Sequence, residues 1–507
     1  MAGEESVRGL RLDCGEVTSV GRVGAGDYAY SADASYKGLP SFTRVSVTMR
    51  PSADSYVRVE VWLPEEGWNG RFLGTGNGGG GGNLYMNSCA EGLRRGYASA
   101  NTDLGTSPGA DEAIGHPERY ADFGHRATHW MTVAGKAVTE AFYGRKAEAS
   151  YFYGSSTGGS QALMEAQRYP DDYDGIVSIV PANNRTLLHA YFLWVERALT
   201  GRDGRPLLAE GDAEALHAAI VGARDRRGDG GAPGDRFFTD PRRSYGRIAD
   251  AVDGLPFRAE AKDALMKVYG GPVNPRTGER IFGPYTIGAE NGLIATVAKG
   301  RPDWLYYIFR WAFGSGFDPM SFDFDVGLER LNRALARHVN ANDPDLGAFR
   351  DSGGKLIIVT GTQDDICPHH DTINYYERVC GRLGGLGAVS GFARLFAVPG
   401  CWHGPAGVPG FRSLGMDGGT PLFETVAAWF ERGEAPDRLL MGGHRDEAQE
   451  GGAPMQRHVY PYPRFAVYKG GDGGGGARPP EGDPEAYEAE ERPMGVLYAA
   501  SERLLSL

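Results

Sequence analysis

The pattern of apolar and polar residues predicts strands and then a helix in the first third of the chain. Residues 45–63 (VSVTMRPSADSYVRVEVWL) alternate on both sides of a Pro-Ser-Ala-Asp-Ser turn, which predicts a β-hairpin. Residues 71–75 (RFLGT) predict a short strand that runs into glycines. Residues 127–143 place apolar side chains at helical spacing, and Gly144 follows where a helix-ending glycine is expected.

An α/β pattern begins near residue 149. Residues 149–153 (ASYFY) predict a strand, which a sharp turn joins to a helix at residues 161–169. Residues 175–180 (GIVSIV) and 355–360 (KLIIVT) are continuous runs of apolar, mostly β-branched residues, as in strands buried on both faces of a parallel sheet. The fold class is therefore predicted to be α/β with a mostly parallel sheet.

A long segment between these two runs lacks the strand-helix rhythm. Residues 184–350 contain helical stretches separated by Gly, Pro and Asp, which indicates an inserted cap, or lid, domain. We therefore predict one α/β domain made of residues 1–183 and 351–478. Residues 479–507 are predicted to form a C-terminal extension, and the Gly-, Pro- and Glu-rich composition beyond about residue 470 predicts that it is mobile.

Composition excludes two classes of partner. The net charge of −12 and the scattered basic residues disfavour nucleic acid, and no stretch approaches the roughly 20 apolar residues that span a bilayer. The N-terminus shows no secretory signal pattern, and an odd number of cysteines without a CxxC pair favours free thiols. These features together favour a cytoplasmic protein. The cysteines are Cys14, Cys89, Cys367, Cys380 and Cys401.

The turn after residue 153 carries a chemical signature. Gly154-Ser155-Ser156-Thr157-Gly158 fits G-x-S-x-G, the nucleophile elbow of α/β-hydrolases, in which small residues flank a serine held in a strained turn. The same turn directs the next backbone N–H, that of Thr157, at a developing oxyanion. The strand before it and the helix after it favour this interpretation over an ordinary glycine-rich turn. The predicted fold is thus an α/β-hydrolase with a large inserted cap.

The acid and the base of a triad are expected later in the chain, in that order. Asp364 and Asp365 follow the predicted strand at 355–360, and we select Asp364 as the acid; a solvated turn is the alternative. His403 follows the predicted strand at 393–398 on a loop rich in Gly and Pro, so it is the candidate base that would reach Ser156.

The glycine run that starts at residue 74 has two functional interpretations. Gly79 or Gly80 could supply a second oxyanion-hole N–H, because glycine lets the main chain approach the reacting carbon. Gly74, Gly76 and Gly79 also fit GxGxxG, which would indicate a nucleotide-dependent oxidoreductase, but that motif requires a following helix that the sequence indicates only weakly. A flexible linker is the third alternative.

Two pairs of histidines have competing interpretations. His125 and His129 lie one helical turn apart and could hold a metal, although packing on the helix is favoured because no further ligand completes the pair. His369 and His370 follow the candidate acid, and one of them could line the pocket.

Several long segments together resemble the tannase and feruloyl esterase family. The resemblance covers about residues 42–469 and implies an esterase with Ser156, Asp364 and His403 as nucleophile, acid and base. It also implies an oxyanion hole from Thr157 N–H with Gly79 or Gly80. The segments that carry it are WNGRFLGTGNGG (68–79), DFGHRATHWMTVAGKAVTEAFYG (122–144), GSSTGGSQALMEAQRYPDDYDGIV (154–177), GPVNPRTGER (271–280) and VPGCWHG (398–404).

The chain departs from the family in two ways. Members typically carry a disulfide between the residue before the serine and the residue after the histidine, which are Ser155 and Gly404 here, as a reducing compartment permits. The family's cap often binds a structural Ca²⁺. Asp225, Asp229 and Asp235 are candidate oxygen ligands, but the spacing is altered, so a solvated acidic loop is the alternative.

These features predict a serine esterase that acts on a small-molecule ester, needs no cofactor for catalysis and binds neither nucleic acid nor membrane. Aromatic residues of the cap predict an apolar slot for an aromatic group, unless they form the cap's own core. An acyltransferase or a non-catalytic small-molecule binder on the same scaffold is the alternative function, and the oligomeric state stays open. The cap aromatics are Tyr191, Phe192, Trp194, Trp304, Tyr306, Tyr307, Phe309 and Trp311.

Overall fold

The computed structural model describes residues 2–224, 226–403, 421–444, 454–470, 481–495 and 499–506. In these ranges the strands are β1 (Gly15–Val23), β2 (Gly26–Ser31), β3 (Ala34–Leu39), β4 (Phe42–Met49), β5 (Val57–Pro64), β6 (Arg71–Thr75), β7 (Ala98–Thr102), β8 (Ala149–Ser155), β9 (Gly175–Ile179), β10 (Lys355–Gly361), β11 (Ala393–Val398), β12 (Leu439–His444), β13 (Pro454–Val459), β14 (Arg464–Tyr468) and β15 (Tyr487–Glu491).

The helices in the same ranges are α1 (Ala2–Arg8), α2 (Asn87–Arg94), α3 (Pro117–Ala121), α4 (Ala127–Tyr143), α5 (Thr157–Arg168), α6 (Arg185–Leu199), α7 (Asp212–Gly222), α8 (Arg226–Asp229), α9 (Ile248–Asp253), α10 (Ala259–Gly270), α11 (Leu293–Lys299), α12 (Tyr307–Phe313), α13 (Val326–Val339), α14 (Gly347–Asp351), α15 (His369–Arg382), α16 (Leu386–Val389), α17 (Leu422–Arg432) and α18 (Glu502–Leu505). None of them has the length and apolar character that a bilayer crossing requires.

A nine-stranded sheet forms the centre of the described structure. Its strand order is β1-β4-β5-β7-β6-β8-β9-β10-β11. The pairs from β1 to β7 are antiparallel, whereas β7 with β6 and every later pair are parallel. The predicted mostly parallel α/β fold is therefore confirmed. Because β8, β10 and β11 run parallel to one another in this half, the loops that follow their carboxyl ends lie at one edge of the sheet.

Local sequence explains the strands and helices around this edge. Every residue of β9 is buried, as the unbroken apolar run predicted. Helix α4 ends as predicted at Gly144, whose φ of 72° lies in the left-handed region that favours glycine. Helix α5 begins at Thr157, four residues before the predicted start, so it follows Ser156 directly.

Residues 184–350 contribute helices and no named strand in their described part. Helix α6 is their centre, since it packs against α10, α11 and α13. This segment lies in the chain between β9 and β10, which are hydrogen-bonded neighbours in the sheet. The segment therefore leaves the sheet at the carboxyl ends of the strands, where the predicted site residues lie, and returns to the opposite edge, where β10 begins beside the start of β9.

The C-terminal part of the chain packs against residues 184–350. Strand β15 pairs with β14, and Arg492 lies 3.0 Å from Asp240 in a buried ion pair. Arg503 also pairs with Glu279. The prediction that this extension is mobile is thus wrong for its described residues. Its composition is typical of disorder, but ion pairs and strand pairing hold it against the rest of the protein.

Candidate active site

The turn between β8 and α5 holds Ser156 in a strained conformation. Its φ of 61° and ψ of −116° lie in a region that residues other than glycine rarely adopt. Gly154 permits the turn, because a Cβ at this position would lie 2.2 Å from the carbonyl oxygen of Gly158. The peptide N–H of Ser156 donates to Ile179 O at 2.9 Å, which fixes the turn on the neighbouring strand. This is the geometry of a nucleophile elbow.

His403 lies between Ser156 and Asp364. Its Nε2 is 2.8 Å from Ser156 Oγ, and its Nδ1 is 3.0 Å from Asp364 Oδ2. A carboxylate only accepts hydrogen bonds, so Nδ1 carries the proton and Nε2 is left to accept from the serine hydroxyl. The three side chains chosen from the sequence therefore meet in one hydrogen-bonded chain.

The surroundings of His403 favour the uptake of a proton by its imidazole. Burial opposes a charge on His403, but the carboxylate of Asp364 and the neighbouring Cys367 outweigh it, so the pKa of His403 is raised well above its usual value. Asp364 is fully buried, whereas the His403 side chain keeps 27% of its exposed area. The base can therefore reach both a fixed carboxylate and the solvent-accessible cavity.

Asp364 is held in place by its own loop. One of its oxygens accepts the peptide N–H groups of Ile366 and Cys367, each at 2.8 Å, which leaves the other oxygen for His403. Asp365 faces the cap instead and accepts from Leu293 N. Burial raises the pKa of Asp365 to about 7. The structure thus places Asp364, and not its neighbour, beside the histidine.

Three backbone N–H groups near Ser156 are free of hydrogen bonds to other described residues: those of Thr157, Gly79 and Gly80. Thr157 is the first residue of α5, where helical N–H groups have no partner within the helix. Its hydroxyl donates to Gly79 O at 2.6 Å, which ties the glycine loop to the elbow. All three predicted oxyanion-hole residues therefore lie together against the serine.

The geometry of the glycine run disfavours a nucleotide site. The next helix, α2, begins at Asn87, eight residues after Gly79, so no helix N-terminus follows the motif. Gly74 and Gly76 are explained by packing. A Cβ on Gly74 would lie 2.0 Å from the hydroxyl of Tyr173, and one on Gly76 would lie 2.4 Å from Gly158 Cα.

Ser156 and His403 open into a cavity of about 290 Å³. Its apolar wall is made by side chains of the cap helices and of the loop after β10. Of the predicted cap aromatics, Phe192, Trp304 and Tyr307 line it. Others pack away from the cavity, since Trp311 stacks on Tyr120 of α3 and Phe309 stacks on Phe317 within the cap. The remaining lining residues are Gly79, Gly80, Thr157, Ala182, Arg185, Leu188, His189, Ile366 and Cys367.

Two polar residues of this cavity escaped the sequence interpretation. Arg185 and His189 lie one turn apart on α6, an otherwise mostly apolar helix. His189 Nδ1 donates to Leu305 O at 2.8 Å, and burial lowers the pKa of this histidine to about 3, so its ring is neutral. Polar residues at helical spacing on a buried face were the signal that could have identified them.

Neither of the two histidine pairs lines the cavity. His125 bonds the hydroxyl of Tyr169, and His129 stacks on the same ring at 4.0 Å, so packing explains this pair. His369 and His370 are buried at the start of α15, outside the cavity lining. The idea that one of them lines the pocket is therefore wrong.

One group of three potential metal-ligating side chains occurs in the described part of the chain: Asp364, Cys367 and His403. Both ring nitrogens of His403 already engage Asp364 and Ser156. A metal here would have to displace the hydrogen bonds that join the serine to the acid.

The candidate calcium ligands lie in a buried cluster of opposite charges, which we call the cap–tail charge cluster. Arg457 donates to both oxygens of Asp235 at 2.9 and 3.0 Å, and Arg224 lies 3.7 Å from Asp229. Guanidinium groups thus occupy carboxylates that Ca²⁺ would need, and the residues do not fit such a site. Burial also excludes a solvated loop, while Asp225 lies outside the described residues. The cluster comprises Asp229, Asp235, Asp240, Arg224, Arg242, Arg457 and Arg492.

The five cysteines are free thiols. Ser155 ends β8 beside the elbow, and Gly404 lies outside the described residues.

The fold and the elbow define an α/β-hydrolase. A family model described as tannase and feruloyl esterase matches residues 42–309 and 307–475, so the chain belongs to that family. Its members are carboxylic ester hydrolases, and this protein is an enzyme of that class.

Named relatives agree with this assignment, and a solved structure shares the fold. An uncharacterized esterase of Xanthomonas campestris is 32% identical over 91% of this chain and 88% of its own length. A mono(2-hydroxyethyl) terephthalate hydrolase of Piscinibacter sakaiensis is 30% identical over 87% and 85% of the two chains. The crystal structure of feruloyl esterase B from Aspergillus oryzae, at 24% identity, superimposes with a TM-score of 0.86 over 96% of this chain and 100% of that one.

Proposed function

We propose that the protein hydrolyses a small aromatic carboxylic ester through an acyl-enzyme formed on Ser156. The observation that carries this proposal is the position of His403, 2.8 Å from Ser156 Oγ and 3.0 Å from Asp364. A serine hydroxyl becomes a nucleophile when a neutral imidazole takes its proton, and a buried carboxylate keeps that imidazole in the required tautomer.

In the first half of the reaction, Ser156 Oγ attacks the ester carbonyl as its proton moves to His403 Nε2. The carbonyl oxygen becomes an oxyanion, which the N–H of Thr157 and that of Gly79 or Gly80 stabilise. Collapse of the tetrahedral intermediate breaks the ester bond, and His403 returns its proton to the leaving alcohol. The products are a free alcohol and an acyl group on Ser156.

In the second half, water attacks the acyl-enzyme while His403 Nε2 accepts its proton. The second tetrahedral intermediate uses the same oxyanion hole, and its collapse releases the carboxylic acid and restores the serine hydroxyl. The chain itself supplies nucleophile, base and oxyanion donors. We therefore propose that catalysis needs no cofactor.

The cavity wall supports an aromatic substrate. Phe192, Trp304 and Tyr307 offer ring faces and edges for stacking, and a cavity of about 290 Å³ suits a single-ring group. Relatives are named for aromatic esters, since one is a terephthalate ester hydrolase and another a feruloyl esterase.

The test combines labelling with product analysis. A fluorophosphonate probe should label the wild-type protein, and Ser156→Ala should abolish the label. A panel of methyl benzoates and cinnamates should release acid and methanol in equal amounts. Esters formed with an added alcohol in place of acid would show acyl transfer. A protein that neither reacts with the probe nor releases acid would refute the proposal.

A further inference from the structure

Arg185 is a buried cation in the wall of the cavity. The residue keeps only 4% of its exposed area, and it lies at the start of α6. Its guanidinium donates to Tyr307 Oη at 2.7 Å and to Thr157 Oγ1 at 3.0 Å, and it lies 5.1 Å from the centre of the Phe123 ring. These partners are neutral hydroxyls and an aromatic face. Two of the five guanidinium N–H groups are thus engaged.

Other deeply buried arginines of this protein meet carboxylates. Arg457 pairs with Asp235, and both Arg242 and Arg492 pair with Asp240. For Arg185, no carboxylate of the described residues lies within ion-pair distance. A buried charge without an opposite charge is unfavourable by several kcal/mol. Arg185 therefore has a strong electrostatic preference for an anion that enters the cavity.

The surroundings would strengthen such an interaction. Leu188, Phe192 and Ile366 exclude water from much of the cavity wall, and low polarity strengthens charge pairing. His189 presents a neutral ring, since its Nδ1 proton is donated to Leu305 O. No second charge on α6 at the cavity competes with Arg185 for an anionic group.

We propose that Arg185 is a specificity residue that makes the cavity select aromatic esters bearing a second, free carboxylate, such as half-esters of benzenedicarboxylic acids. The inference rests on the proposed function, because the same cavity holds Ser156. The carboxylate would accept from guanidinium N–H groups and from the hydroxyl of Tyr307, while the ester carbonyl lies at the serine.

The same contacts define a rival role for Arg185. Arg185 donates to the hydroxyl of Thr157, which donates to Gly79 O, so the arginine could act only by positioning the oxyanion hole. That role would affect every ester alike, whereas anion recognition affects only charged esters. The two accounts therefore differ in a measurable ratio.

The experiment compares matched neutral and anionic esters. The substrates are the monomethyl esters of benzene-1,3- and benzene-1,4-dicarboxylic acid, with methyl 3- and 4-methylbenzoate as neutral counterparts. We expect wild-type kcat/KM to favour an anionic ester by at least about 10-fold, as for hydrogen bonds to charged groups. Arg185→Met should lower kcat/KM for the anionic ester about 10- to 100-fold, mainly through KM, and change the neutral ester less than about 3-fold.

Two further variants sharpen the result. Arg185→Lys keeps the charge but loses the planar fork, so it should retain part of the preference. Arg310→Met is the matched control, because Arg310 also belongs to the cap but pairs with Asp111 and Asp303 and does not line the cavity. It should leave the preference unchanged.

A comparison of kcat/KM for acetoxybenzoates with that for phenyl acetate shows whether the carboxylate is recognised on the alcohol side of the ester.

Three outcomes overturn the inference: no preference in the wild-type enzyme, an equal loss on both esters in Arg185→Met, or an equal loss in Arg310→Met. If Arg185→Met does not fold, inhibition of the wild-type enzyme decides, with benzoate expected to bind at least about 10-fold more tightly than benzamide. Failure of the proposed function is distinguishable, since the wild-type protein would then neither hydrolyse the neutral esters nor react with a fluorophosphonate at Ser156.

Discussion

The cavity and the cap–tail charge cluster are two buried regions that treat charge in opposite ways. In the cluster, Asp235 and Asp240 each meet an arginine at 2.9 to 3.0 Å, so every contact is made within the protein. In the cavity, Arg185 meets two hydroxyls and an aromatic ring but no carboxylate, and His403 contacts the hydroxyl of Ser156, which is available to attack a substrate. Satisfied charges stabilise the fold, whereas groups left open to a cavity remain available for a substrate.

Ser156→Ala should show the largest difference between an effect on catalysis and an effect on stability. Loss of the nucleophile is expected to lower kcat by about 10⁶-fold, as for other serine hydrolases, because no other group forms the acyl-enzyme. The melting temperature should fall by no more than about 2 °C, since the cluster is untouched. Steady-state kinetics and calorimetry on one preparation check both values. Activity within about 100-fold of the wild type would place the chemistry elsewhere.

Asp364→Asn should lower kcat by about 10⁴-fold, because an amide allows the wrong tautomer of His403. The pH profile gives a second readout. The base works when neutral, and the raised pKa of His403 places the acid limb of wild-type kcat/KM above pH 6.5. Without the carboxylate, burial lowers the pKa, so the acid limb of the residual activity should move to lower pH. An unmoved limb would show that Asp364 does not set this pKa.

Arg457→Met tests the cluster and should act on stability. It leaves the fully buried Asp235 without its cation, and removal of one partner from a buried pair costs about 3 to 5 kcal/mol. Chemical denaturation measures this difference. The double variant Arg457→Met/Asp235→Asn should recover part of the loss. As a matched control, Arg432→Met breaks the exposed pair with Glu434 and should leave the denaturation midpoint almost unchanged, because solvent screens exposed pairs.

Chelation should have the smallest effect of all. Because Arg457 and Arg224 already lie against Asp235 and Asp229, EDTA is expected to change neither the melting temperature nor kcat. Protein first treated with EDTA and then given excess Ca²⁺ provides the control. A rise in melting temperature on adding Ca²⁺ would show that the cluster binds the ion. Its charges would then not be satisfied by the protein alone, in contrast to the comparison made above.

Local sequence was enough for the features that depend on local backbone geometry. The strand, elbow and helix around Ser156 follow from residues 149–169, since small residues and β-prone residues act over a few positions. The choice of Asp364 and His403 followed from chain order and strand ends. The N-terminal strand β1, which forms one edge of the large sheet, had no such short-range signal.

Long-range contacts explain what the sequence did not reveal. Arg185 meets Tyr307 across 122 residues, and Asp235 meets Arg457 across 222, so neither partner is visible in a local pattern. The spacing of the aspartates in the cap suggested a metal site or a solvated loop. The sequence did not reveal that a distant arginine, Arg457, lies against one of them. The cytoplasmic location favoured by the cysteine content stays a prediction.

The pairing of the cap with the end of the chain also bears on synthesis at the ribosome. Asp235 leaves the exit tunnel long before its cation Arg457, which follows 222 residues later, and Asp240 meets Arg242 at once but the second of its arginines, Arg492, only 252 residues later. Nascent chains generally fold from the N-terminal side as they emerge. The carboxylate of Asp235 must therefore stay hydrated until translation is nearly complete, and completion of the cap–tail charge cluster becomes one of the last steps of maturation.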